Sequence, residues 1–90
     1  MRFSWDESKR LRTIADRALD FRDATFFFDG RPALHQFSPR RDEERWKTTV
    51  ERNEVFFTLV WTWRDDTRHL ISMRRAHDKE VRKYRELFAR

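Results

Sequence analysis

Residues Val55 to Trp63 restrict the possible folds more than any other stretch of this chain. The run Val-Phe-Phe-Thr-Leu-Val-Trp-Thr-Trp is rich in β-branched and aromatic residues, which fit a pleated, half-buried surface. Strand side chains alternate, so Val55, Phe57, Leu59, Trp61 and Trp63 share one face and Phe56, Thr58, Val60 and Thr62 the other. Apolar residues on both faces mark an inner strand. Arg64-Asp65-Asp66 reads as a turn, because Asp bonds its own local backbone. Thr67–Arg74 then returns beside the first run and leads into Arg75, which puts two adjacent arginines at the strand end. The expectation is a hairpin at the centre of an antiparallel sheet.

The flanking segments extend this picture. Arg2 to Trp5 reads as a short strand. Asp6 is suited to cap a helix, with Glu7 favourable in its first turn. Leu11, Ile14, Ala15 and Ala18 follow helical spacing, predicting a helix from Glu7 to Arg17 with that stripe inward and Lys9, Arg10, Arg12 and Asp16 outside it. Asp20 caps a second, short helix, Phe21 to Phe28, with Phe21, Ala24, Phe27 and Phe28 inward; a strand over Phe26 to Phe28 is the alternative. Asp29-Gly30-Arg31-Pro32 ends that element. Ala33 to Phe37 reads as a strand, Ser38 to Glu43 as a polar connection, and Arg45 to Glu51 as an alternating strand. Arg52-Asn53 reads as a two-residue hairpin turn. After Ala76 the period lengthens to about 3.6. Val81, Tyr84 and Phe88 form one stripe, with Leu87 beside it and Asp78 as the expected cap. The order β-α-α-β-β-β-β-α implies an α+β fold: an antiparallel sheet with two N-terminal helices and one C-terminal helix on one face.

Composition narrows the function classes. The chain has 90 residues and is read as one domain over residues 1–90. Charged residues are 41% of it, yet 16% are aromatic, more than a disordered chain carries. A net charge of +5 favours a polyanionic partner. The absence of cysteine excludes disulfides, thiol catalysis and thiolate metal sites. A single glycine, Gly30, excludes a glycine-rich phosphate loop. No His-x-x-x-His or His–carboxylate spacing points to a metal, and no cofactor is expected. The amino terminus turns polar at once, and no apolar run reaches the ~20 residues of a membrane span. The expectation is a soluble, cytoplasmic protein without membrane contact.

Four stretches coincide with one known family. Phe3-Ser4-Trp5-Asp6-Glu7-Ser8-Lys9 resembles the amino-terminal F-x-W-D-x-x-K signature of BrnT toxins. Phe21 fits the aromatic at the start of their second helix. Asp42-Glu43-Glu44-Arg45-Trp46 resembles their E-E-R-aromatic strand entry, and Ile71-Ser72-Met73-Arg74-Arg75-Ala76 their I-S-x-R-x-A segment; Glu80 and Tyr84 also fit. The sequence departs from the family twice. Asp16, Arg17 and Ala18 stand where relatives carry Lys-His-Gly, and Trp61 aligns with a frequent His. The resemblance implies a RelE-like fold and an endoribonuclease toxin of a bacterial type II toxin–antitoxin pair. Its implied partner is BrnA, a small ribbon-helix-helix DNA-binding antitoxin, through which alone the complex would meet operator DNA.

Metal-independent RNA cleavage needs a base for the 2′-hydroxyl, fixed cations for the phosphorane, and an acid for the leaving 5′-oxygen. Arginine suits the middle task. Arg74 is the first choice as a phosphate or transition-state contact, with Arg45 and Arg64 on the same open surface. Arg75 points to the opposite face. Glu44 either acts as a base or orients Arg45. Histidine exchanges protons near neutral pH; of His35, His69 and His77, the last lies beside the arginine pair and is the acid/base candidate. Lys9, Arg75 and Tyr84 are the candidate RNA contacts, Lys9 and Tyr84 because they match family positions. Trp5, Trp46, Trp61 and Trp63 are read as core before base-stacking surface. Two rival readings use the same residues: a catalytically weak toxin-fold protein acting as antitoxin-binding co-repressor, and an unrelated small basic RNA-binding protein.

Overall fold

The computed structural model of the protein describes residues 1–88. Its elements are β1 (Phe3–Trp5), α1 (Glu7–Arg17), a 3₁₀ helix (Phe21–Phe28), β2 (Leu34–Phe37), β3 (Arg45–Arg52), β4 (Val55–Arg64), β5 (Thr67–Arg75) and α2 (Asp78–Phe88). The five strands form one sheet in the order β1-β5-β4-β3-β2. The α+β class and the central β4 therefore agree with the sequence. The sheet, however, is mixed: β1 lies parallel to β5, pairing Phe3 with Arg68 and Trp5 with Leu70. Three residues carry too little pattern to reveal the partner of β1, because its pairing is set by the crossover through the rest of the chain.

The helices also divide between the faces. Phe57, Leu59 and Trp61 of β4 meet the 3₁₀ helix, where Phe26 packs edge-on to Phe57 at 5.9 Å. Thr58 and Phe56, on the opposite face by alternation, meet Glu80 and Tyr84 of α2. The expected arrangement, all helices on one face, is thus not what forms. Phe21, Ala24 and Phe27 are three apart, so a three-residue turn stacks all of them inward, and each is fully buried with Val50, Leu59, Leu70 and Met73. This burial sustains a 3₁₀ run of 8 residues, longer than such helices usually reach.

Helix α1 begins at the expected cap, where the Asp6 side chain accepts the Ser8 N–H. Its inward face is the reverse of the one expected. Arg10 and Thr13 are buried, while Leu11 is 54% exposed and Ile14, Ala15 and Ala18 also face out. Arg10 explains the rotation: it donates to Glu7 at 2.6 and 2.9 Å and to Asp20 at 3.2 Å, tying α1 to the cap of the 3₁₀ helix. Arg17 adds a second tie, to the Met73 carbonyl at 3.0 Å and Ser72 Oγ at 3.3 Å. Helix α1 ends at Ala18, which adopts φ 57° and ψ 34°. A Cβ in this left-handed region costs roughly 1–2 kcal/mol. Ala18→Gly is therefore expected to stabilise the protein by about 0.5–1 kcal/mol, glycine's greater unfolded-state freedom offsetting part of the relief; urea unfolding of the two proteins checks it.

Two local expectations shift by a residue. The β3–β4 turn is Asn53-Glu54, with φ 53° and 67°, since Arg52 still pairs with Val55; two positive φ values are what a type I′ hairpin requires. Helix α2 is capped at His77 rather than Asp78: the Glu80 carboxylate accepts the His77 N–H at 2.8 Å, the reciprocal half of a capping box. Trp61 is 4% exposed and donates Nε1–H to Thr48 Oγ1 at 2.9 Å. Trp63, by contrast, is 49% exposed, with the Arg68 guanidinium 4.6 Å from its ring.

Candidate active site

The site grows from one buried carboxylate. Glu80 is 3% exposed because α2 lays its first turn on Thr58, the β4 residue opposite Arg74. It accepts from Arg74 through both terminal nitrogens at 2.8 and 2.9 Å. It also accepts Lys47 Nζ at 3.1 Å, the Thr58 hydroxyl at 2.9 Å and the His77 N–H at 2.8 Å. Burial alone would push this carboxyl up; Arg74, the His77 amide, Lys47 and Thr58 outweigh it and hold the group well below the usual carboxylate range. Arg74 is consequently a clamped strand residue, its side chain 17% exposed, instead of a loose strand-end cation. Its second contact, to the Arg75 carbonyl at 3.2 Å, fixes it further.

Two surface depressions meet at His77. One, about 490 Å³, is lined by Arg17, Leu19, Phe57, Arg74, Arg75 and His77. The other, about 450 Å³, is lined by Gln36, Lys47, His77, Lys79, Glu80 and Lys83. Six lysines and arginines thus surround one imidazole, and the only carboxylate in either lining is Glu80, already engaged. Among the described residues the His77 ring and the Arg75 guanidinium have no hydrogen-bond or ion-pair partner. The other two histidines are committed. His35 Nδ1 lies 2.9 Å from Thr48 Oγ1, and burial, followed by Arg68, pushes the ring down. His69 Nδ1 lies 2.9 Å from Ser4 Oγ, and burial, followed by Arg64, pushes it down likewise.

The remaining sequence candidates fall elsewhere. Arg45 lies opposite Thr62 and Arg64 two positions further along the same face as Arg74. Thr62 and Thr58 are separated by about 13 Å of strand, so Arg45 and Arg64 stand apart from the His77 cluster. Arg45 is oriented by Glu43, at 2.8 Å, and not by Glu44. Glu44 presents its carbonyl to the Thr62 hydroxyl at 2.7 Å and leaves its side chain exposed. Lys9 lines a smaller depression with Arg12, Thr13, Asp16, Arg17 and Ser72, on the other side of Arg17 from the main one. Arg75 occupies the opposite sheet face from Arg74, opposite Phe57, as alternation requires. Tyr84 is buried against Phe56 at 5.2 Å and Phe88 at 4.8 Å, with its hydroxyl 3.4 Å from the Pro32 carbonyl, the setting of a packing residue. Arginines held on one open sheet face were expected; α2 covers that face at Arg74, and the open part begins beyond it.

Sequence reasoning missed Lys47 and the hub role of Glu80. A signal for Glu80 was present: it follows His77 by three residues, the capping-box spacing. Among the described residues no group of three or more His, Cys, Asp or Glu could hold a metal ion.

Six cationic side chains gathered about one uncommitted histidine make this the most basic of the surface depressions described. A family model described as "Ribonuclease toxin, BrnT, of type II toxin-antitoxin system" matches residues 5–80, a span that takes in Glu80. The chain belongs to this family of ribonuclease toxins. A comparison with curated proteins gave no match.

Proposed function

We propose that this chain is an active endoribonuclease toxin, cleaving RNA without a metal ion and silenced by a BrnA-type antitoxin of the ribbon-helix-helix class. The observation that carries the reading is the cation cluster around His77, whose one carboxylate neighbour is consumed by Arg74. In this mechanism the substrate's 2′-oxygen attacks the adjacent phosphorus and loses its proton. The bond to the 5′-oxygen breaks, and that oxygen gains a proton. The products are a 2′,3′-cyclic phosphate and a 5′-hydroxyl. His77 exchanges the proton. Arg74 and Arg75, with Lys47 behind them, hold the negative charge that builds on the phosphoryl oxygens. Clamping by Glu80 keeps Arg74 in place before substrate arrives, so little reorganisation accompanies the reaction. Arg45, Arg64 and Lys9, further out on the same molecule, bind flanking phosphates and fix the strand's position.

The wider assignments belong to the same proposal. The fold is of the RelE-like kind, with the β3–β4–β5 meander as its platform. Operator DNA is met only through the antitoxin complex, and the site of action is the cytoplasm. No helix among the described residues is long and apolar enough to cross a membrane.

Purified protein is expected to cleave a defined single-stranded RNA in the presence of EDTA, and to stop when the adjacent-gene antitoxin is added. Binding of that RNA should weaken with salt, with a log–log slope of about −0.7 per neutralised phosphate. Tight antitoxin binding without cleavage, even with ribosomes supplied, would move the reading to a co-repressor on a toxin fold.

A further inference from the structure

The larger depression beside His77 has a feature that phosphate binding does not use. Its floor is apolar: the half-buried ring of Phe57 and the half-buried side chain of Leu19. Three arginines, Arg17, Arg74 and Arg75, complete its lining together with the His77 side chain. Both apolar side chains pack against the core on one side and keep part of their surface uncovered on the other, beside these arginines. Arg17 is held by the Met73 carbonyl and Ser72, and Arg74 by Glu80, so two of the three arginines are preset. The volume, about 490 Å³, admits one nucleotide. A ligand that suits such a place is flat and apolar on one side and anionic on the other.

We propose that this depression is a nucleobase pocket, in which a base next to the scissile phosphate lies against Phe57 and Leu19 while its phosphate meets Arg17 and Arg75. The proposal rests on the ribonuclease reading and adds a contact to the base itself. Aromatic stacking tolerates every base, because each has a π-face. The pocket therefore selects for an unpaired nucleotide more than for a sequence; a base within a duplex cannot be turned out into it without breaking its pair.

The test uses the whole protein and an uncleavable 2′-O-methyl RNA octamer, scanned with one abasic nucleotide at each position. For the wild type, one abasic position should weaken binding by about tenfold, the others by much less. Phe57→Leu keeps apolar volume against Phe26 and removes the π-face. In that variant the intact octamer should bind as weakly as the sensitive abasic one, and the abasic penalty should fall below about twofold. If Phe57→Leu does not fold, Leu19→Ala on the other wall serves, with the same penalty expected to shrink. An even abasic profile in the wild type would overturn the pocket. So would a sensitive position that both variants leave unchanged. Failure of every octamer to bind would instead overturn the ribonuclease reading beneath it.

Discussion

Glu80→Ala is expected to lower the unfolding free energy by about 3–5 kcal/mol, the range for breaking a buried ion pair from one side. The wild-type carboxylate accepts hydrogen bonds from four residues at once. Their fates differ when it is removed. Lys47, its side chain 29% exposed, can turn to water. Thr58 keeps its partner Thr49, 2.8 Å away. The His77 amide loses its cap, worth about 1 kcal/mol. Arg74 is the costly one, because a largely covered guanidinium is left without a counter-charge. Arg74→Met combined with Glu80→Leu should consequently recover much of the loss, since removing both charges removes the desolvation problem. The same carboxyl gives stability a pH dependence. Its value in the fold lies below the unfolded 4.5, so its contribution is complete above about pH 4.5 and declines as acid carries the pH toward the folded value. Glu80→Gln should flatten that limb of the stability curve. Urea unfolding within 1 kcal/mol of wild type for Glu80→Ala would show that the hub holds nothing together.

Local pattern was enough for most of this structure, and its failures share a cause. The Val55 run, the Asp6 and Asp20 caps and the period change after Ala76 are all encoded within a few residues, and they appear where the spacing puts them. Alternation likewise separated Arg74 from Arg75. Contacts between distant segments were not legible in this way. The parallel pairing of β1 depends on Arg68 to Leu70, more than sixty positions away. Helix α1 turned its apolar stripe outward because Arg10 found Asp20 and Arg17 found Met73. An arginine ordinarily reads as solvated, and only tertiary partners make burial affordable for it. The site divides along the same line. The Arg74–Arg75–His77 cluster is local in sequence and was visible there. Lys47 joins it from β3, where strand register and α2 bring it to Glu80; Arg45, by contrast, pairs locally with Glu43, two residues earlier.

His77→Gln should reduce the cleavage rate constant by about 10²–10⁴-fold, the usual contribution of a positioned acid or base, with stability within about 0.5 kcal/mol of wild type. The second half of that expectation follows from geometry. The imidazole is exposed and touches no partner, and the capping bond that His77 does make uses its backbone N–H, which glutamine retains. Arg74 offers no such clean test, since removing it also strips Glu80 of its main counter-charge. Arg75→Ala is the better probe of charge: exposed and unpaired, it should weaken binding of an uncleavable RNA and lower the salt slope by about 0.7, while the rate at saturating RNA falls less than in His77→Gln. The two variants thus separate proton transfer from phosphate binding. Should His77→Gln cleave at the wild-type rate, the proton must pass through another group. His69, on the Arg64 side of the same sheet face, would be the next histidine to replace. Should both rate and binding fall together in His77→Gln, the ring holds phosphate, and the reaction relies on the arginines and water alone.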